Sequence, residues 1–357
     1  MINVTKTYLP SFDEYAAVLK RAWDNNQITN NGVLLKELEE KLKEYLGVED
    51  LLVCSNGTIV LQMALKAFNI TKEVITTPFS YVATTNAILW EGCTPVFVDI
   101  KPDTFCIDAN KIEESITENT EAILATHVYG FPCDVDAIEK IAGKYNLKVI
   151  YDAAHAFGST YKGKSLLSFG DIATCSFHAT KIFHTVEGGA IICNDKELLQ
   201  KLSLYRSFGH RYDDYFSVGI NGKNSELHAA MGLCVLPKLN DIIAKRKQIF
   251  EMYDGLLTGN KTCRNFFTED FVYNYGYYPT VFESEEVMLK VRAALLEKQI
   301  SARRYFYPSL NRLPFLNQKQ CCEISESISK RVLSLPLFYD LKIADVVNIC
   351  NIINAVA

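Results

Sequence analysis

Val149-Ile-Tyr-Asp-Ala-Ala-His-Ala-Phe-Gly158 opens with a short strand, Lys148–Asp152, that is apolar at consecutive rather than alternate positions. A strand of this kind is expected where a sheet is covered on both faces. It delivers Asp152 at its carboxyl end, the edge at which open α/β sheets place their ligands. Working outward, similar runs recur at Leu51–Cys54, Val74–Thr76, Pro95–Asp99, Ala122–Thr126, Thr174–Phe177 and Ala190–Cys193. Helical patterns lie between several of them, at Ile59–Phe68, Val82–Glu91 and Val135–Tyr145. The alternation predicts an α/β fold with a large, mostly parallel seven-stranded sheet. After about residue 225 the pattern changes to a long helical stretch, Glu226–Tyr253, a strand region, Phe271–Val281, and helices at Ser284–Lys298 and Ile324–Ser334. Two domains are expected, a large one over 1–239 and a smaller C-terminal α/β one over 240–357.

The 357 residues are 48% apolar and 22% charged, enough apolar material for a large core. Lys and Arg number 37 against 42 acids, a net charge of −5, and no basic stretch stands out, so no nucleic-acid partner is expected. The first fifteen residues carry charge and proline without an apolar core, and no apolar run has membrane-span length; neither a signal peptide nor a membrane partner is expected. Eleven scattered cysteines without CxxC spacing fit a reduced, cytoplasmic setting and disfavour a metal site.

Three segments carry chemistry. In Ser55-Asn-Gly-Thr58 a strand ends and a helix begins, where free amides and the helix dipole favour an anion. Gly57 allows close backbone approach and Thr58 adds a hydroxyl; an ordinary capped helix would look the same. Asp152 stands at a buried strand end, where a carboxylate needs a cation or several donors, and His155 follows; a helix-capping aspartate beside a packed histidine would look the same. In Ser176-Phe-His-Ala-Thr-Lys181 a lysine follows a buried strand, enclosed by His178, Phe183 and His184, a setting suited to a Schiff-base amine, although a lone lysine is more often a surface residue. Together an anion cradle, a carboxylate that could face a ring nitrogen and an amine that could form an imine are the parts of a pyridoxal 5′-phosphate site. Tyr81, in Thr77-Pro-Phe-Ser-Tyr-Val-Ala83, offers an aromatic face for the ring.

These blocks, with Gly92–Asp99, His127–Pro132, Glu187–Gly189, Ala302–Pro308 and Arg331–Pro336, occur in one order over nearly the whole chain. In this the sequence resembles the DegT/DnrJ/EryC1/StrS family, nucleotide-sugar aminotransferases of pyridoxal-phosphate fold type I. The resemblance implies Lys181 as the catalytic lysine and Asp152 as partner of the pyridine nitrogen. It places His155 beside the ring hydroxyl, Gly57, Thr58 and Ser176 at the phosphate, and Tyr81 on the ring face. It also implies a homodimer with shared sites, in which Asn221, and Lys223 less directly, reach the second subunit's phosphate. The loop Gly219–Glu226 departs from the family's GxNxRMxE, since Lys223-Asn224 replaces Arg-Met and a lysine lacks arginine's fork.

The run Phe177–Gly189 resembles members that aminate C4 of a dTDP-linked 4-keto-6-deoxyglucose, with L-glutamate as the donor implied by the family. His184 and Tyr307 are candidate substrate contacts, although a packed histidine at a domain seam would also explain His184. Three other readings stand beside this one. They are amination at C3 of a 3-keto sugar, a cofactor-binding regulator without turnover, and a nicotinamide-dependent oxidoreductase, which should carry a glycine-rich turn that residues 1–60 lack.

Overall fold

The computed structural model describes residues 1–257, 261–262, 268–316 and 320–357. Its centre is a seven-stranded sheet: β1 (Leu51–Cys54), β2 (Glu73–Thr76), β3 (Thr94–Phe97), β4 (Thr120–Thr126), β5 (Lys148–Asp152), β6 (Ile172–Ser176) and β7 (Gly189–Ile192). The spatial order is β1-β7-β6-β5-β4-β2-β3. Only β7 runs against its neighbours, pairing antiparallel with β1 and β6; the other pairs are parallel. Consecutive residues of one strand feed opposite layers. Val149 and Tyr151 join one apolar cluster, and Ile150 joins the other. This two-sided burial is why the strands read as unbroken apolar runs.

One face is covered by α3 (Gly57–Ala67), α4 (Val82–Trp90) and α6 (Lys196–Arg206). Against the other lie α2 (Val33–Leu46), α5 (Val135–Tyr145) and α7 (Glu226–Val235), with α1 (Phe12–Asp24) packed on α2 and α7. Helix α2 buries Leu34, Leu35, Leu38, Leu42 and Leu46, a helical stripe. Its first turn is capped from far away: the buried carboxylate of Glu226 accepts from the amides of Leu34 (2.7 Å) and Leu35 (3.2 Å).

Four sequence expectations need correction. Strand β3 stops at Phe97, because Asp99 turns away and its carboxylate accepts from Ile324 and Ser325, in the first turn of a later helix, Glu323–Arg331. The helical stretch from Glu226 is broken at Pro237 by a 3-10 turn, Leu236–Lys238, before α8 (Leu239–Leu256) resumes. Residues 332–334 are a strand, Val332–Ser334, paired with Pro279–Val281, and not a helix end. Between Phe271–Val272 and Pro279–Val281 the chain is in no strand, and Tyr275 breaks the extended path at φ +53°. By length and composition Glu226–Leu256 could cross a bilayer, but most of α7 is buried.

The N-terminal Ile2–Asn3 pairs in parallel with Ile300–Ser301, and Leu337 donates to the Val4 carbonyl, so the start of the chain lies among C-terminal elements. Cys263 lies outside the described residues.

Candidate active site

The carboxyl edge of the sheet gathers the chemistry. In register, Thr126, Asp152 and Thr174 form one row across β4, β5 and β6. Ser176 and Cys54 both pair with Gly189, which brings the end of β6 beside the start of α3. A Cβ built on Gly57 would sit 2.7 Å from Ser176 Cβ and 2.9 Å from its Oγ, so only glycine fits against that serine. Asn56 caps α3, its Oδ1 accepting from the amides of Thr58 (3.0 Å) and Ile59 (2.9 Å). Thr58 therefore offers its hydroxyl here, not its amide.

Asp152 is buried, with Oδ2 accepting from Thr84 Oγ1 (2.7 Å) and Oδ1 from the Ala154 amide (3.1 Å). Burial raises its pKa above the ordinary aspartate value; the two hydrogen bonds and the charge of Lys181 oppose that rise. Lys181 lies in the polar turn after β6 and donates from Nζ to the hydroxyl of Tyr277 (3.3 Å). The expected enclosure by its sequence neighbours is absent. His178 pairs with Thr180 and Glu187 at the surface, while Phe183 stacks on Phe157 at 4.6 Å.

His155 is buried against Phe306 (5.5 Å, 12°) and meets Tyr277 edge-on (5.0 Å). Its Nδ1 accepts from the Tyr129 amide (3.2 Å), which puts the proton of the neutral ring on Nε2. Burial and then the charge of Lys181 push its pKa well below the usual histidine value, so the ring stays neutral. Tyr81 stands at the N-cap of α4 with 60% of its surface open. Tyr305 packs edge-on to Tyr277 (6.1 Å) and feels the charges of Arg303 and Lys181.

Other expected residues lie elsewhere. His184 is fully committed: Nδ1 accepts from the Val186 amide (3.2 Å) and Nε2 meets the Tyr8 carbonyl (2.7 Å), leaving nothing for a substrate. Tyr307 is half exposed and stacks under the Arg304 guanidinium (3.4 Å). Lys223 folds onto Phe208 of its own chain (4.5 Å); burial and then Arg206 lower its pKa. Asn221 is exposed, on a loop held beside Cys54 and Ser55 by the Cys54–Lys223 bridge and the Ser55 amide on Gly222 (2.8 Å).

Sequence reasoning missed Tyr277 and the anchor that presents it. Asn274 Nδ2 donates to the carbonyls of His155 and Phe157 (both 2.8 Å), tying the Phe271–Val281 segment to the site. The Asn274–Gly276 spacing was the available signal for a turn. Missed too were the buried hydroxyls of Ser80 and Thr126 near Asp152.

A close-approach glycine beside a serine, a buried carboxylate and a half-buried lysine fit the phosphate, ring nitrogen and aldehyde of pyridoxal phosphate. Residues 12–354 match the model of the DegT/DnrJ/EryC1/StrS aminotransferase family. The chain belongs to that family. It is 42% identical over 349 residues to a dTDP-4-amino-4,6-dideoxy-D-glucose transaminase of Shigella dysenteriae, covering 95% of each chain. The structure of DesI with its TDP-sugar product superposes with a TM-score of 0.93 at 29% identity, over 99% of this chain and 92% of that one. A putative sugar aminotransferase of Streptococcus pneumoniae in its PLP form gives 0.89 at 25% identity, over 98% and 97%. A pyridoxal-phosphate-dependent sugar aminotransferase of fold type I is thus what this DegT/DnrJ/EryC1/StrS chain is.

Proposed function

We propose that this enzyme transfers the amino group of L-glutamate to C4 of dTDP-4-keto-6-deoxy-D-glucose, yielding dTDP-4-amino-4,6-dideoxy-D-glucose. The 42% identity across 95% of both chains to the Shigella dysenteriae transaminase carries the substrate reading. Bound pyridoxal phosphate supplies the electron sink that makes the substrate α-proton labile.

The chain's own groups then divide the work. Gly57, Thr58 and Ser176 would hold the phosphate, and Asp152 would keep the ring nitrogen cationic. Neutral His155 would offer its Nε2 proton to the ring hydroxyl, and Tyr81 would offer its aromatic face to the ring. Lys181 Nζ moves the proton off the donor carbon and delivers it again in the second half of the cycle. The Tyr277 hydroxyl, 3.3 Å from Nζ, aims that amine.

Asn221 and Lys223 of a second copy complete the phosphate pocket in this reading. The adjoining segment supports a homodimer, because Tyr212, Tyr215, Phe216 and Val218 form an exposed apolar group on one short loop. The site draws Asp152 and Lys181 from the 1–239 unit and Tyr277 and Tyr305 from 240–357, which suits a two-domain enzyme with its site at the seam. Free thiols, buried at every described cysteine except Cys321, fit a reducing cytoplasm. Incubation with pyridoxal phosphate, L-glutamate and dTDP-4-keto-6-deoxyglucose, followed by NMR of the product, tests the reading. Nitrogen on C4 is expected; nitrogen on C3, or no amination, overturns it.

A further inference from the structure

Three buried hydroxyls form a file that ends on Asp152. Thr126 Oγ1 donates to Ser80 Oγ (3.2 Å), Ser80 Oγ lies 2.8 Å from Thr84 Oγ1, and Thr84 Oγ1 donates to Asp152 Oδ2 (2.7 Å). All three side chains are at most 1% exposed, so water does not substitute for any of them. Their direction follows from proton counting. The single hydroxyl proton of Thr84 goes to the carboxylate, so Ser80 must donate to Thr84 and in turn accepts from Thr126. Run in this sense, the file ends by donating to Asp152, which favours its ionised, acceptor-only form.

We propose that Thr84 is a positioning residue for the cofactor-facing carboxylate, its hydroxyl ordered by Ser80 and Thr126 so that Asp152 stays an anion turned toward the ring nitrogen. The inference rests on the reading of Asp152 above. Geometry supports it from two sides. Thr84 lies in the first turn of α4, whose positive end favours an anion. The opposite oxygen, Oδ1, is fixed separately by the Ala154 amide, so the two bonds together set the rotation of the carboxyl plane. The other titratable groups facing Asp152 are Lys181, which favours the anion, and Cys175, whose thiol burial pushes up to about 12 and so keeps neutral. Without Thr84, desolvation would be opposed by one amide and one lysine alone.

The test uses holoenzyme loaded with cofactor labelled with nitrogen-15 in the ring, read by NMR near neutral pH. A donor to a charged acceptor contributes roughly 1.5–3 kcal/mol, about one to two pH units. In Thr84→Val the proton should therefore shift from the ring nitrogen toward Asp152, moving the nitrogen signal toward its unprotonated position. The carbon-13 titration of the Asp152 carboxyl in cofactor-free protein should rise by the same one to two units. Thr84→Ser should restore both readouts, and Ser80→Ala should move them less, in the same direction. Asp152→Asn separates the two ideas. A nitrogen signal that moves in Asp152→Asn but not in Thr84→Val overturns the role of Thr84 alone, whereas a signal unmoved in Asp152→Asn overturns the reading of Asp152. If Thr84→Val fails to fold, an unchanged signal in Ser80→Ala overturns the ordered file.

Discussion

Replacing Gly57 with alanine places a methyl group 2.7 Å from Ser176 Cβ, 2.9 Å from its Oγ and 3.2 Å from its Cα. Carbon atoms rest at about 3.5–4.0 Å, so the start of α3 and the end of β6 must separate by about 1 Å. Both ends are stiff, since Asn56 caps α3 and Ser176 is locked in the ladder opposite Gly189. A phosphate held between Gly57 and Ser176 would lose a hydrogen bond to a charged acceptor, worth up to about 2.8 kcal/mol, or on the order of 100-fold in affinity. Titration of cofactor-free Gly57→Ala with pyridoxal phosphate, followed by visible absorbance, should show an affinity lower by that factor. Calorimetry should show the protein still folded. The steric cause has its own check: adding Ser176→Gly to Gly57→Ala removes the Cβ in conflict and should recover part of the affinity, whereas adding Ser176→Ala keeps that Cβ and should recover none. Unchanged cofactor affinity in Gly57→Ala would refute the cradle.

Three further outcomes follow from the geometry. Tyr277→Phe removes the hydroxyl that receives Lys181 Nζ at 3.3 Å and should slow the glutamate half-reaction about tenfold, seen in rapid mixing, with cofactor affinity little changed. Glu226→Ala strips two amides of α2 of their buried acceptor and should lower stability by about 3 kcal/mol in urea unfolding; a loss under 1 kcal/mol would contradict the distant cap. His127 is fully buried, and burial lowers its pKa to about 3, so below about pH 6.5 the unfolded chain takes up a proton that the folded one refuses. Stability should fall between pH 6.5 and 5 by about 2 kcal/mol from this group, and His127→Asn should remove that part of the slope.

The sheet was legible because each of its strands is buried on both faces and so advertises itself as an apolar run between polar turns; β1 and β5 match the sequence reading end to end. Lys181, Asp152 and Gly57 could be singled out as candidates because each follows or opens such an element at the carboxyl edge, a local arrangement that spacing reveals; Ser176 was singled out only by the family resemblance. The companions of these groups were not. Tyr277 lies 96 residues beyond Lys181, and Thr84 lies 68 residues before Asp152. Such pairs exist only once the sheet has closed and its edge loops have met. The same limit explains the Phe271–Val281 segment, where β-type composition lost to Asn274 bonding two carbonyls near His155. It explains His184 as well, a candidate substrate contact or a packed seam histidine on sequence alone, whose two nitrogens the Tyr8 carbonyl and Val186 amide take up. Local sequence thus set which side chains arrive at the edge of the sheet. Packing decided which of them are free to act, because a buried polar atom bonds whatever the fold brings within reach.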